Sequence, residues 1–201
     1  MKLLALGALL AASMAAQSKR VIILLGPPGA GKTTQAKALS RARRIPSISA
    51  ADLIKKGHGG KSKLSRAVAA PTASGDLVND ETINQLVEFR IQKRDALDGF
   101  ILDGYPATEA QAKFLAAKLA ERGLPAPVVV HLDAPDDVVR ARMRGRGRAD
   151  DKPATIERRL AEFHRERDFV LGFYKGVRRV DATRTEKEVT AQIEKVLAGT
   201  G

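Results

Sequence analysis

Gly26-Pro27-Pro28-Gly29-Ala30-Gly31-Lys32-Thr33-Thr34 sits between the apolar run Val21-Ile22-Ile23-Leu24-Leu25 and the helix-compatible segment Gln35-Ala36-Lys37-Ala38-Leu39. Strand, glycine loop and helix in that order are the context of a phosphate-binding loop, and Gly26, Gly31, Lys32 and Thr33 fill the fixed places of G-x-x-x-x-G-K-[ST]. Glycine reaches backbone conformations closed to other residues and lets main-chain N–H groups approach phosphate oxygens. The N-terminus of the following helix adds the positive end of its dipole. Lys32 has the reach for the outer phosphates, and the Thr33 hydroxyl suits a Mg²⁺ ion.

The other numbers of the chain narrow the classes it can join. Its 201 residues, 44% hydrophobic and 29% charged, suffice for one globular domain with a real core. Cysteine is absent, which excludes disulfides and thiolate metal sites. The formal charge of +12 suits nucleic acid, a membrane surface or polyphosphate substrates. Two tyrosines, six phenylalanines and no tryptophan leave few rings for base stacking. The charge therefore reads as nucleotide phosphates on a generally basic surface, with no specific nucleic acid and no membrane as partner.

Residues 1–19 read as an N-terminal extension. Met1-Lys2, the apolar run from Leu3 to Ala12, and Ser13-Met14-Ala15 as a small-x-small site follow the pattern of a secretory signal. The run is too short and too rich in alanine for a membrane span. Met14 offers a second start, after which Met14–Arg20 is an ordinary lead-in to the first strand. A mis-assigned start and a working export signal both stay open on these residues.

Strands and helices then alternate. Val21–Leu25 is a buried strand, followed by a helix that ends in Arg41–Arg44. Ile45–Ile48 is a second strand and Ala50–Lys56 a brief helix, closed by Gly57-His58-Gly59-Gly60, with His58 a solvated loop residue. Lys61–Ser74 is helix-compatible but interrupted by Pro71. Asp80–Arg94 is a helix with Ile83, Leu86, Val87 and Ile91 on one face and Asp80 at its start. Phe100–Asp103 is a third strand, Thr108–Arg122 a helix stopped by Gly123, and Val128–Asp133 a fourth strand with His131 in its core. Asp136–Met143 and Thr155–Leu171 are helices, Val177–Val180 is a fifth strand, and Thr185-x-x-Glu188 is a capping box opening the last helix. The pattern predicts a single α/β domain over 20–199 with a mostly parallel sheet.

Phosphoryl transfer needs charge neutralisation and alignment more than a covalent catalyst. Asp103, closing an apolar strand, is placed to hold Mg²⁺ through water. The run Arg140, Arg142, Arg144, Arg146, Arg148, with Arg158 and Arg159 beyond it, offers planar forks that suit phosphate. On a glycine-containing loop such groups can close over a donor and exclude water. By itself the run also reads as a solvated basic face or an RNA patch.

Gly26–Gln35, Ile48-Ser49…Asp52, Gly75-Asp76-Leu77-Val78, Gly99–Pro106, Gln111, Arg148…Asp150-Asp151 and Arg158-Arg159-Leu160 resemble, in order, the adenylate kinase family of nucleoside monophosphate kinases. The resemblance implies a P-loop kinase fold: a five-stranded parallel sheet flanked by helices, an acceptor segment at about 49–78 and a short lid at about 144–152. It implies the conversion of Mg·ATP and a nucleoside monophosphate, AMP first, into two diphosphates; a kinase using ATP belongs in the cytoplasm, and a single compact domain makes a monomer the default. Gly29, Ala30, Gly31, Lys32, Thr33 and Thr34 would hold the ATP phosphates, Arg142 would lie against the adenine, and the backbone near Arg184 would touch the base. Lys32, Asp103, Arg148 and Arg159 would be the catalytic set, with Thr33 and Asp103 at the metal. Ala50, Lys55, Asp76, Leu77, Val78, Arg90, Gly104, Ala107 and Gln111 would form the acceptor side. Here the sequence departs from the family. Ser49-Ala50-Ala51-Asp52 lacks a hydroxyl, an expected arginine is Lys55, and the arginine expected after Gly-[FY]-Pro is Ala107. Arg90, Lys55, Lys56 and Lys61 are the cations left to compensate. A small-molecule kinase with another acceptor and a non-catalytic ATP-binding module are the alternatives.

Overall fold

The computed structural model describes residues 20–57, 63–74, 78–148 and 151–199. Its centre is β1 (Arg20–Leu25), whose last five residues are all buried. β3 (Gly99–Asp103) pairs with it on one side and β4 (Val128–Asp133) on the other, both parallel, so that Leu24 faces Asp103 and Val130. β2 (Ser47–Ser49) and β5 (Arg178–Asp181) complete a parallel sheet in the order β2-β3-β1-β4-β5. β1 thus lies where the strand order switches direction, and ligands of open parallel sheets bind in the crevice beyond the carboxyl ends of the strands at such a point. Continuous apolar strands are what a sheet covered on both faces requires.

Helices cover both faces. On one, Ile22, Leu24, Ile101, Val130 and Leu132 pack against α1 (Lys32–Arg43), α6 (Asp136–Gly145), α8 (Glu186–Ala198) and the start of α7 (Pro153–Phe173). On the other, Val21, Ile23, Phe100, Leu102 and Val129 pack against α4 (Asp80–Ile91), α5 (Glu109–Glu121) and the far half of α7. A third, small cluster of Val68, Val78 and Leu86 ties α2 (Ala50–Gly57) and α3 (Lys63–Ser74) to α4. The acceptor-side segment therefore has a miniature core of its own. Among the described residues no helix is long and apolar enough to cross a membrane.

Several elements differ in detail from the sequence expectations. α3 runs through Pro71 and ends three residues later; the proline removes one backbone N–H from the helix ladder and does not end the helix at once. Asn79, not Asp80, caps α4: its side-chain oxygen accepts the Thr82 N–H at 2.8 Å. α4 stops at Ile91 because Lys93 turns extended, and a 3₁₀ turn over Arg94–Ala96 then buries Ala96 completely. β2 and β5 lie slightly later in sequence than expected, and α6 continues to Gly145. The capping box forms as expected, with Thr185 and Glu188 exchanging hydrogen bonds. Residues 1–19, His58, Lys61, Asp76, Leu77 and Asp150 lie outside the described residues.

Candidate active site

The glycine loop closes on the carboxyl end of β1. Gly26, Gly29 and Gly31 have φ of 139°, 88° and 92°, a region that favours glycine. Gly26 is also needed for space, since a Cβ there would lie 2.4 Å from the Leu132 carbonyl oxygen. Gly31 is the N-cap of α1, and no side chain caps that helix. Its first-turn N–H groups are therefore left for an anion, which the dipole also favours. Lys32 bends back over the loop, and its Nζ donates to the carbonyls of Gly26 and Pro27 at 2.7 and 2.8 Å. Burial lowers its pKa to about 8; Asp103 opposes the shift and Arg146 adds to it.

Thr33 Oγ1 donates to Asp103 Oδ2 at 2.6 Å, across the pairing of α1 with β3. A hydroxyl and a carboxylate are hard oxygen donors of the kind Mg²⁺ takes. Among the described residues no cluster of three or more histidines and carboxylates could hold a metal by itself. The pair thus fits an ion that takes its remaining ligands from water and substrate phosphates, the usual arrangement for Mg²⁺ in kinases.

The arginines divide by position. Asp151, whose side chain is only 2% exposed, gathers Arg146 at 2.8 Å and Arg159 at 3.3 Å. Arg146 was not singled out from the run in the sequence, yet its charge is near enough to depress the Lys32 pKa. Arg148 stays exposed on the turn after α6 and does not line the cavity described below. Arg142 donates to the carbonyls of Ala182 at 2.7 Å and Thr183 at 3.2 Å, which brings it beside the loop that carries Arg184. Arg184 itself is exposed and held by Asp181 at 3.1 Å.

Next to the loop opens a cavity of about 440 Å³. Gly26, Pro28 and Lys32 form one end, and Ala50, Val78, Gly104, Ala107 and Gln111 form the other. Lys55 and Lys56 are exposed and do not line it. Arg90 is turned to Asp95 by two hydrogen bonds, at 2.9 and 2.7 Å, and does not line it either. Gln111 is buried and committed: its oxygen accepts the Ala107 N–H at 2.7 Å and its amide donates to Asp80 at 2.6 Å. Thr108, the N-cap of α5, also donates to Asp80, at 2.7 Å. The network joins α4, α5 and the loop after β3. Its visible sequence signal is Thr108-x-x-Gln111, a capping-box spacing.

His131 forms part of the cavity floor. It is 3% exposed, its ring is stacked on Phe163 at 6.4 Å, and neither ring nitrogen has a hydrogen-bond partner within the protein. Burial lowers its pKa; Arg179, Arg167 and Lys32 push the same way and Asp133 opposes them.

A family model described as Adenylate kinase matches residues 24–178. The adenylate kinase of Chelativorans sp. (strain BNC1) is 38% identical over 190 residues, covering 88% of this chain and 98% of that protein. Those of Brucella anthropi and Brucella ovis are each 36% identical over 189 residues, covering 88% of this chain and 97% of theirs. With the glycine loop, the central β1 and the two-ended cavity already in place, this likeness along nearly the whole of each relative means that the chain belongs to the adenylate kinase family.

Proposed function

We propose that this protein transfers the terminal phosphoryl group of ATP to a nucleoside monophosphate, AMP before others, giving two nucleoside diphosphates. The observation that carries the proposal is the meeting of three parts at one place. Lys32 and the open amides of α1 face the phosphates, Thr33 and Asp103 present oxygen donors at 2.6 Å, and the cavity runs on from the loop to a mostly apolar second end. Kinases of this kind align two phosphates and neutralise their charge.

In this proposal the amides of Gly29–Thr34 cradle the donor phosphates and Lys32 exchanges its two loop carbonyls for phosphate oxygens. Mg²⁺, held through Thr33 and Asp103, would supply charge neutralisation on the donor. Arg146 and Arg159, gathered by Asp151, stand ready to take charge that builds on the oxygens in flight. Arg142 and the Ala182–Arg184 backbone are the adenine side. Residues 49–78 are the acceptor segment, and residues 144–152 are a lid whose closure excludes water. The site residues Asp76, Leu77 and Arg148 stay with the proposal as the sequence placed them. A monomer working in the cytoplasm, where ATP is abundant, fits this role.

The experiment is a coupled assay for diphosphate formation from Mg·ATP with AMP, CMP, UMP, GMP and the deoxynucleotides. Turnover with AMP, abolished by Lys32→Ala, is the expected result. Protein that binds ATP and phosphorylates none of the panel would overturn the proposal.

A further inference from the structure

The acceptor end of the cavity holds a polar side chain that cannot turn over. Ala50, Ala51, Ile54, Val78 and Ile83 give this end apolar walls. Beside them, among the described residues, stand Asp80, Thr108 and Gln111. Gln111 is only 2% exposed. Its Oε1 accepts the Ala107 N–H at 2.7 Å, and its Nε2 donates to Asp80 Oδ1 at 2.6 Å. Asp80 is held in turn: it stands in the first turn of α4, and its Oδ2 accepts the Thr108 hydroxyl at 2.7 Å.

These two contacts decide which atom of the amide lies where. A main-chain N–H only donates, so it must meet the amide oxygen; a carboxylate only accepts, so it must meet the amide nitrogen. The opposite orientation would set N–H against N–H and oxygen against oxygen. Each end of the amide keeps one position for a ligand, a second lone pair on Oε1 and a second N–H on Nε2. The pattern offered to a base is therefore fixed, an acceptor beside a donor. Adenine answers it, because its 6-amino group donates and the neighbouring ring nitrogen accepts, the pairing a carboxamide makes with adenine elsewhere. Hypoxanthine and guanine carry an oxygen at position 6, which would face Oε1 as one acceptor against another.

We propose that Asp80 is a positioning residue that sets the base preference of the acceptor site: by locking the Gln111 amide in one orientation it selects adenine over the 6-oxopurines. The inference rests on the monophosphate kinase reading above. Asp80 acts through Gln111, so the donor side is unaffected. A site whose polar groups are already committed rejects the wrong base by leaving them unpaired, which discriminates more sharply than shape alone.

The test is steady-state kinetics of the full chain with AMP and inosine monophosphate as rival acceptors, since their bases have nearly one shape and differ in the donors and acceptors at positions 1 and 6. Asp80→Asn keeps the size of the side chain, but its carboxamide donates as well as accepts, so a turned Gln111 is opposed by the Ala107 N–H alone. The preference for AMP in kcat/KM is expected to fall about 10-fold, the size of one buried hydrogen bond, while the KM for ATP stays within about twofold. Asn79→Ala removes the cap of the same helix without touching Gln111, and its preference is expected to stay within about twofold of wild type. A merely structural role for Asp80 would make the two variants alike. A preference in Asp80→Asn within about twofold of wild type, an equal fall in Asn79→Ala, or a wild-type protein that uses both acceptors equally well would overturn the assignment. The wild-type protein is scored first. If it phosphorylates no monophosphate, the functional reading itself has failed; if it turns over AMP and Asp80→Asn keeps the full preference, only the assignment of Asp80 has.

Discussion

Lys32 should make nucleotide affinity fall with pH in a range where most phosphate-binding lysines are silent. Its ammonium donates to two loop carbonyls, and burial brings its pKa to about 8 in the free protein. The charged form is the one that binds phosphate, and a bound phosphate holds the proton on. At pH 7.5 about three quarters of the free protein then carries the charged lysine, and at pH 9 about one tenth, so the Kd should rise about eightfold between them. The last phosphate proton of a nucleotide leaves below this range and does not contribute. With no tryptophan to report binding, titration calorimetry of ATP without metal is the suitable measurement. Lys32→Arg supplies the control, because a guanidinium does not titrate here and its Kd should stay flat. A constant wild-type Kd, or the same slope in Lys32→Arg, would refute the reasoning.

Three further outcomes follow from the structure. Thr33→Val removes the hydroxyl beside Asp103 and should shift the Mg²⁺ dependence of turnover or lower activity by about 10- to 100-fold, with Thr33→Ser close to wild type; an unaltered Mg²⁺ titration would remove Thr33 from the metal. Gly26→Ala places a Cβ 2.4 Å from the Leu132 carbonyl at φ 139°. Strain and overpacking together should cost about 2–4 kcal/mol, readable in urea unfolding. Thr185→Ala breaks the capping box of α8 and should cost about 1 kcal/mol, a fall in Tm of about 2–4 °C with no change in turnover.

The sequence was most legible where one local signal decides one element. The apolar runs of Val21–Leu25, Phe100–Leu102 and Val128–Leu132 became the three central strands, and Thr185-x-x-Glu188 became the cap it spells. Local signals failed where a residue has two uses. Asp80 looks like a helix cap, but Asn79 takes that place and leaves Asp80 to hold Thr108 and Gln111, about thirty positions away. Such a partnership has no periodicity to betray it. Arg90 and Lys55 looked available for an acceptor phosphate by chemistry alone. Their direction depends on how α4 meets the turn at Asp95 and how α2 lies on its small core. Arg146 was hidden among identical neighbours, and only the position of Asp151 sets it apart. The loop, built from adjacent residues, was readable at once; the acceptor end, built from four separated segments, was not.

The placement of β1 at the middle of the sheet has a consequence for how the protein matures. Residue 24 finds its two partner strands at residues 103 and 130, and every crossover is parallel. Pairing across such distances is slow, because a long chain segment must close before any contact rewards it. On the ribosome the glycine loop emerges early but has no rigid strand to stand on until Asp133 is free of the exit tunnel. Nucleotide capture is thereby deferred until most of the polypeptide has been made, and ATP added to refolding protein should act late, trapping finished molecules and leaving the early steps unaccelerated.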